Sequence, residues 1–218
     1  MKLRFKLTVI VLVIFLFNCG NVAKEKTLEE FKFTGKGIVV SCNDFNVKLL
    51  NEALFSFEED ILEFYGKTPN APSNTPNLSR AYSQFIRSAI YGQVKYAEVL
   101  SPHSIKVFEV LKSKSDLWEP SNPTNKLNYN NPLIGCIANN ILDKDLKTTF
   151  SALLETDSMS PKLFGPALQS NYGAAMRDKY LSTYVALEFY YGKLFNVDLS
   201  KVSEKKEEPV DFNKIPKE

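Results

Sequence analysis

Two stretches of this 218-residue sequence space their apolar side chains at alternating steps of four and three residues. In the first stretch, over 41–67, the series is Leu50, Leu54, Phe57, Ile61 and Phe64. In the second, over 172–194, it is Tyr180, Tyr184, Leu187, Tyr191 and Leu194. Residues at this spacing share one face of an α-helix, so each stretch is predicted to be a long helix with one buried side.

Further helices are predicted between these two. Ser101 suits an N-cap and Pro102 the first helical position, so they divide a helix over 78–100 from one ending near 117. Shorter helices are expected over 133–142 and 144–156, while 158–170, with two prolines and a glycine, is predicted to be irregular or a short turn of helix. Only GIVVS (37–41) reads as a strand, and one strand makes no sheet.

The predicted fold is therefore all-α. We expect a single helical domain of about six helices over 36–200, with three long helices packed near-antiparallel. Residues 201–218 are charged and poor in apolar side chains, which predicts a disordered tail. One short sequence recurs near two predicted helix ends, as LEFYGK (62–67) and LEFYYGK (187–193). A duplicated helical unit explains this echo, and so does repeated helix-end chemistry.

The first 18 residues have the layout of a secretory signal. Lys2, Arg4 and Lys6 precede the apolar run LTVIVLVIFLF over 7–17. A positive patch before roughly 7–15 apolar residues is typical of a signal peptide, whereas a membrane-spanning helix needs about 20. Residues 1–18 are therefore predicted to be a signal peptide. The alternative is an uncleaved anchor, or a plain signal followed by a chance cysteine.

The sequence LFNC (16–19) resembles the lipobox of bacterial lipoproteins, in which a leucine stands three residues before an invariant cysteine. Leu16 and Cys19 match this pattern, while Phe17 and Asn18 depart from its usual small residues. The resemblance implies cleavage before Cys19, diacylglycerol on its sulfur and often an acylated amine, such as a palmitate amide. Several acyl chains give stable membrane anchoring.

The same resemblance implies a location and a partner. The protein is expected in the cell envelope, with the membrane as partner through Cys19. Gly20, rather than Asp, follows the cysteine, which allows an outer-membrane location at the periplasmic or surface face. Residues 19–35 mix charges with few apolar side chains, so they are predicted to be a flexible tether between lipid and domain.

Two cysteines remain if Cys19 carries lipid. Cys42 and Cys136 form an even pair, which favours a disulfide in an oxidising compartment. The alternative is two buried free thiols, since cysteine is among the most often buried residues. The free thiols are the preferred interpretation, because the sequence does not give the separation of the two positions.

Side chains that commonly perform catalysis are scarce. The single histidine, His103, is expected on the surface, and one imidazole excludes zinc sites built on two or three. There is no P-loop, no G-x-G-x-x-G and no G-x-S-x-G, and no metal or cofactor is predicted. The formal charge falls from +2 to −1 once the three positive residues of the signal are removed, and no basic block suggests nucleic acid as a partner.

Two groups of residues are candidates for a site. The tyrosines of the last long helix suit a binding surface, although the preferred interpretation is that half face the core and the rest are scattered on the surface; they are Tyr180, Tyr184, Tyr190 and Tyr191. The carboxylates are the side chains that could act as a catalytic acid and base, provided that two converge in a cleft. The candidates are Glu52, Glu59, Glu63, Asp143, Asp145 and Glu188.

The sequence thus supports two functions. The first is a lipid-anchored, non-enzymatic helical module that binds a partner protein or ligand in the envelope. The second is a carboxylate-based envelope hydrolase directed at glycans. The poverty of catalytic side chains favours the first.

Overall fold

A computed structural model of the protein describes residues 25–43, 45–67, 75–119, 121–122 and 126–202. These residues form nine α-helices and no sheet, so the predicted all-α fold is confirmed. Within them, Trp118 and Leu127 make an isolated antiparallel bridge, which is the one pairing of strand type. No helix in the described ranges is long and apolar enough to cross a bilayer.

Helix α1 (Val47–Tyr65) is the first of the two predicted long helices. Leu50, Leu54, Phe57 and Ile61 are fully buried along it, as the stripe predicts. The helix begins later than expected, because the side chain of Asn46 accepts the hydrogen bond from the Leu49 amide that caps it. Helix α1 is the centre of the domain and contacts four of the other helices.

The middle of the chain forms helices α2 (Leu78–Ile90), α3 (Tyr96–Val99) and α4 (Pro102–Lys112). The helix predicted over 78–100 is thus divided, since Gly92 has a φ of +66° that no regular helix accommodates. Helix α4 begins as predicted, with Ser101 as N-cap and Pro102 in the first position. It ends about one turn earlier than expected.

Helices α5 (Pro132–Asn140), α6 (Lys144–Glu155) and α7 (Pro161–Ser170) follow. Asn131, Asp143 and Ser160 cap them through side-chain oxygens. Helix α7 occupies a region that the sequence predicts to be irregular or a single turn. It packs closely on α2, where a Cβ added at Gly165 would lie 3.0 Å from Ile90.

The last predicted long helix is interrupted twice. It is divided into α8 (Tyr172–Arg177) and α9 (Lys179–Val185), then a π-helical turn (Ala186–Tyr190) and a 3₁₀ turn (Tyr191–Asn196). Asp178 separates α8 from α9 because its side chain caps the second helix. A final 3₁₀ turn covers Leu199–Lys201. Of the predicted long helices, α1 alone keeps its continuity.

Residues 25–40, which we call the arm, lie across α1 and α4. The arm contains one 3₁₀ turn (Thr34–Lys36) and is otherwise irregular. Its buried side chains Phe33 and Val40 belong to the core of the domain. The predicted signal peptide, Cys19 and residues 203–218 of the predicted tail lie outside the described residues.

Candidate functional site

The carboxylate of Glu52 holds the arm on helix α1. Its Oε1 accepts a hydrogen bond of 2.6 Å from the Lys32 amide, and its Oε2 accepts one of 3.2 Å from the Phe33 amide. The Nε2 of His103, on α4, lies 2.6 Å from the same Oε1. Three donors therefore converge on one carboxylate that is 2% exposed. Buried carboxylates need such donors, since an unpaired one is costly.

Ion pairs continue along the arm. Lys32 Nζ lies 2.6 Å from Glu59, which is two helical turns from Glu52. Lys26 lies 2.6 Å from Glu109 of α4. These pairs are partly exposed, and each contributes at most about 1 kcal/mol. Together they show that residues 25–35 contact the domain and are not the free tether that the sequence predicts.

The single histidine is also placed differently from the prediction. His103 lies under the arm with 12% of its side chain exposed, and its ring contacts the edge of Phe33 at 6.0 Å between centroids. It is therefore largely buried and not a surface residue. Asn51 fixes the end of the arm, accepting from the amides of Val39 and Val40 at 2.8 and 3.1 Å.

Two further carboxylates of α1, Glu58 and Asp60, are buried against different neighbours. Glu58 accepts from the hydroxyl of Tyr82 at 2.9 Å and lies 2.5 Å from Lys179. Asp60 accepts from the hydroxyl of Tyr190 and from the Ser101 amide. Burial raises the pKa of Asp60, and these hydrogen bonds oppose the rise. Both acids are thus neutralised or bonded inside the protein.

Glu188, in the π-helical turn, is a further buried acid. It accepts from the hydroxyl of Tyr129 at 2.9 Å and lies 3.4 Å from Lys193. Burial raises the pKa of Glu188 to about 7, while Lys193 and Tyr129 lower it. π-Helical turns occur often at functional sites, so this carboxyl has the environment of a catalytic acid. Its side chain is 1% exposed, however, and it lines neither of the two cavities described below.

The tyrosines predicted as a binding surface are mostly core residues, which corrects that prediction. Tyr184, Tyr190 and Tyr191 are fully buried. The ring of Tyr184 packs on Phe150, and the hydroxyl of Tyr191 donates to the Ala53 carbonyl at 3.0 Å. Tyr180 is half-buried, and its hydroxyl donates to the carbonyl of Ser41 at 3.3 Å. Their clustering in sequence reflects a tyrosine-rich core.

The two remaining cysteines are bonded to each other. Cys42, two residues after the arm, and Cys136, on α5, form a disulfide with Cα atoms 6.0 Å apart. The preferred interpretation as free thiols is therefore wrong. The two halves of the bond are 94 residues apart in sequence, so their proximity is a product of the tertiary fold.

The other candidate carboxylates are dispersed. Asp143 caps α6 by accepting from the Leu146 amide at 3.0 Å, and Asp145 lies in the first turn of the same helix. Glu63 is exposed near the end of α1. Within the described ranges, no three His, Cys, Asp or Glu side chains group closely enough to hold a metal ion.

Two cavities open on the described surface near functional side chains. The smaller, of about 250 Å³, lies between the arm and α1 and is lined mainly by apolar groups, including Phe31 and Ile38, with Glu52 on its wall. The larger, of about 400 Å³, lies between α2 and α8, and its lining is polar: Asn77, Ser79, Arg80, Ser83, Gln84 and Tyr172. Neither is lined by two of the candidate carboxylates.

Sequence reasoning missed several of these residues. Glu58 stands at helical spacing from Leu54 and Ile61, which was a signal for a buried acid. Arg80 and Tyr172 are far apart in sequence and carried no such signal. As for known proteins, no family model, curated protein or solved structure matches this chain.

Proposed function

We propose that this protein is a lipid-anchored cell-envelope protein whose helical domain binds a partner protein and does not catalyse a reaction. The anchor is diacylglycerol on Cys19, as the lipobox-like LFNC implies. The observation that carries the proposal is the disulfide between Cys42 and Cys136, since stable disulfides form in exported proteins and are rare in the cytosol. The bond supports export independently of the first 20 residues.

The state of the acid groups supports a binding role. Catalytic acids and bases must reach a substrate, whereas Glu58, Asp60 and Glu188 are buried and bonded to neighbouring side chains. Glu52 is occupied by two backbone amides and His103. These acids stabilise the domain and the arm. A surface that binds a partner must therefore be formed by other residues, on the exterior of the domain.

The partner surface that we propose is the apolar strip of the arm. Ile38 is 66% exposed and Val39 38% exposed, although both are large apolar residues. Ile38 lines the cavity of about 250 Å³ between the arm and α1, so an apolar side chain of a partner has a place to enter. The occupant that we propose is another envelope protein. Ile38 stands 19 residues after Cys19 in the sequence, so the strip and the proposed anchor belong to the same amino-terminal part of the chain.

Two measurements test the proposal. Mass spectrometry of the membrane fraction is expected to find a lipidated amino terminus at Cys19 in wild type, and to lose it in Cys19→Ala. Crosslinking in intact cells is expected to capture a specific protein with wild type and to lose it with Ile38→Ser. Leu163→Ser, which alters an exposed leucine on α7, is the matched control and should keep the partner. An unlipidated wild-type terminus would refute the anchor, and equal capture by both variants would refute the surface.

A carboxylate-based envelope hydrolase is the second candidate. Glu52 favours it, because its carboxylate lines a cavity and lies 2.6 Å from a histidine. Release of soluble fragments from purified envelope glycans by wild type, abolished in His103→Gln, would establish this candidate in place of the first. Equal release by both would exclude a role for the pair.

A further inference from the structure

The larger cavity, between α2 and α8, differs from the cavity beside the arm in having one cation and no acid in its lining. Its six lining side chains are all polar, and five of them are uncharged. The volume of about 400 Å³ falls within the range of roughly 300–1,000 Å³ that small-molecule sites occupy. None of these residues lines the cavity beside the arm, so the two surfaces are distinct.

Arg80 is the residue of this cavity that favours a bound ligand, because its guanidinium lacks partners in the described part of the chain. It forms no ion pair with any residue that the structure describes, although lysines elsewhere on the domain do. Its Nε is shielded from solvent and has no hydrogen-bond partner within the described ranges. A buried donor left without a partner is costly and rare in native proteins. Because the buried Nε is not open to the cavity, a negatively charged ligand would bind the terminal nitrogens of the guanidinium and offset the cost through its charge.

The amino terminus of helix α2 is not what would hold this ligand. The Arg80 amide is already used, because it donates to the side chain of Asn77 at 2.9 Å. The planar fork of a guanidinium matches both carboxylate and phosphate, but a phosphate group carries a charge of about −1.5 to −2 at pH 7. The cavity provides one cation, which balances the charge of a single carboxylate.

The neutral side chains indicate what accompanies that carboxylate. Ser79, Ser83 and Gln84 offer hydroxyl and amide groups that both donate and accept, as sugar hydroxyls require. Tyr172 adds an aromatic ring with a polar tip on the α8 side. We propose that this cavity binds an acidic saccharide, with the carboxylate on Arg80 and the hydroxyls on the neutral side chains. The assignment goes beyond the proposed function and does not depend on lipid anchoring.

The test is calorimetric titration of the full chain with three probes: glucuronate, glucose and inorganic phosphate. Glucuronate is expected to bind with millimolar affinity, and glucose at least about tenfold more weakly, since it lacks the carboxylate. Phosphate is expected to bind at least about tenfold more weakly as well, since it lacks the hydroxyl-bearing ring. Phosphate binding equal to that of glucuronate would show a site for simple anions and overturn the assignment, as would no glucuronate binding up to about 50 mM.

Variants locate the binding. Arg80→Gln is expected to weaken glucuronate binding at least about tenfold. Arg87→Gln, which changes an exposed arginine on the same helix, is the matched control and should bind as wild type does. Equal losses in both would overturn the assignment. If thermal unfolding shows that Arg80→Gln does not fold, Tyr172→Ala on the opposite wall takes its place, with the same loss expected. The lipidation and crosslinking results are unaffected by any of these outcomes.

Discussion

The motifs LEFYGK (62–67) and LEFYYGK (187–193) differ by one inserted tyrosine, yet they lie in opposite environments. The first ends helix α1 at the surface, where Glu63 is exposed and Phe64 is 37% exposed. In the second, Glu188 and Phe189 are each 1% exposed. The same side chains thus serve as a solvated helix end in one place and as core in the other. Long-range neighbours, and not the local sequence, decide which.

The backbone differs where the extra tyrosine is inserted. The second motif overlaps the π-helical turn Ala186–Tyr190, a form that fits one more residue into a helical turn. The Phe189 carbonyl in this turn accepts a hydrogen bond of 2.7 Å from the hydroxyl of Tyr96. The ring of Tyr190 packs at 5.4 Å from that of Phe57. The wider turn thereby places both Tyr190 and Tyr191 in the core.

The largest difference between the motifs is expected from truncating the phenylalanines. Phe189→Ala should lower the free energy of unfolding by about 3–5 kcal/mol, because it opens a cavity in a close-packed core. Phe64→Ala at the exposed position should cost less than about 1 kcal/mol. Urea denaturation of both variants measures the two values. Equal losses would mean that the motifs share one environment.

A smaller difference is expected in the pH dependence of stability. Burial raises the folded pKa of Glu188 from 4.5 to about 7, so between these values the folded state keeps a proton that the unfolded state has released. Raising the pH through this window therefore removes stability, by at most about 3 kcal/mol. Glu188→Gln should abolish this fall in the free energy of unfolding with pH, whereas Glu63→Gln should show the same pH dependence as wild type.

Denaturation series at several pH values between 4 and 8 supply the measurement, with the slopes compared between variants. The neighbours of Glu188 are Tyr129 and Lys193, and both are kept in each variant. A slope in Glu188→Gln that matches wild type would assign the titration to another buried acid, with Asp60 the first to examine.

The smallest difference is expected from removing single hydroxyls. Tyr190→Phe leaves the buried Asp60 without one of its donors and should cost about 1–3 kcal/mol. Tyr65→Phe, at the corresponding position of the first motif, should change stability by less than about 0.5 kcal/mol. Thermal unfolding at pH 7 is sufficient for this comparison. A cost in Tyr65→Phe as large as that in Tyr190→Phe would contradict it.

The sequence predicted those features that local chemistry determines. The stripe of α1 placed Leu50 to Ile61 in the core, and Ser101 with Pro102 marked the start of α4. Capping residues and apolar spacing act within one or two turns, so a single sequence contains them. The all-α class follows from these local signals together.

Features that depend on distant partners escaped prediction. The charged composition of residues 19–35 predicts a flexible tether, yet Lys32 and Lys26 pair with Glu59 and Glu109, 27 and 83 residues away. Burial of Asp60 depends on Tyr190, 130 residues further along. The π-helical turn arises where one residue too many must fit against α1, α2 and α9. None of these pairings leaves a periodic trace in the sequence.

The bond between Cys42 and Cys136 also determines how the molecule responds to mechanical load. When the chain is stretched from its two ends, tension passes directly through the two sulfur atoms, and residues 43–135 carry none of it. Helices α1 to α4 lie entirely within this sheltered loop. Reduction of the disulfide would allow residues 43–135 to be pulled out, which would lengthen the stretched chain by up to about 300 Å. A protein held by its amino terminus would thus keep helices α1 to α4 out of the path of the force for as long as the bond stays oxidised.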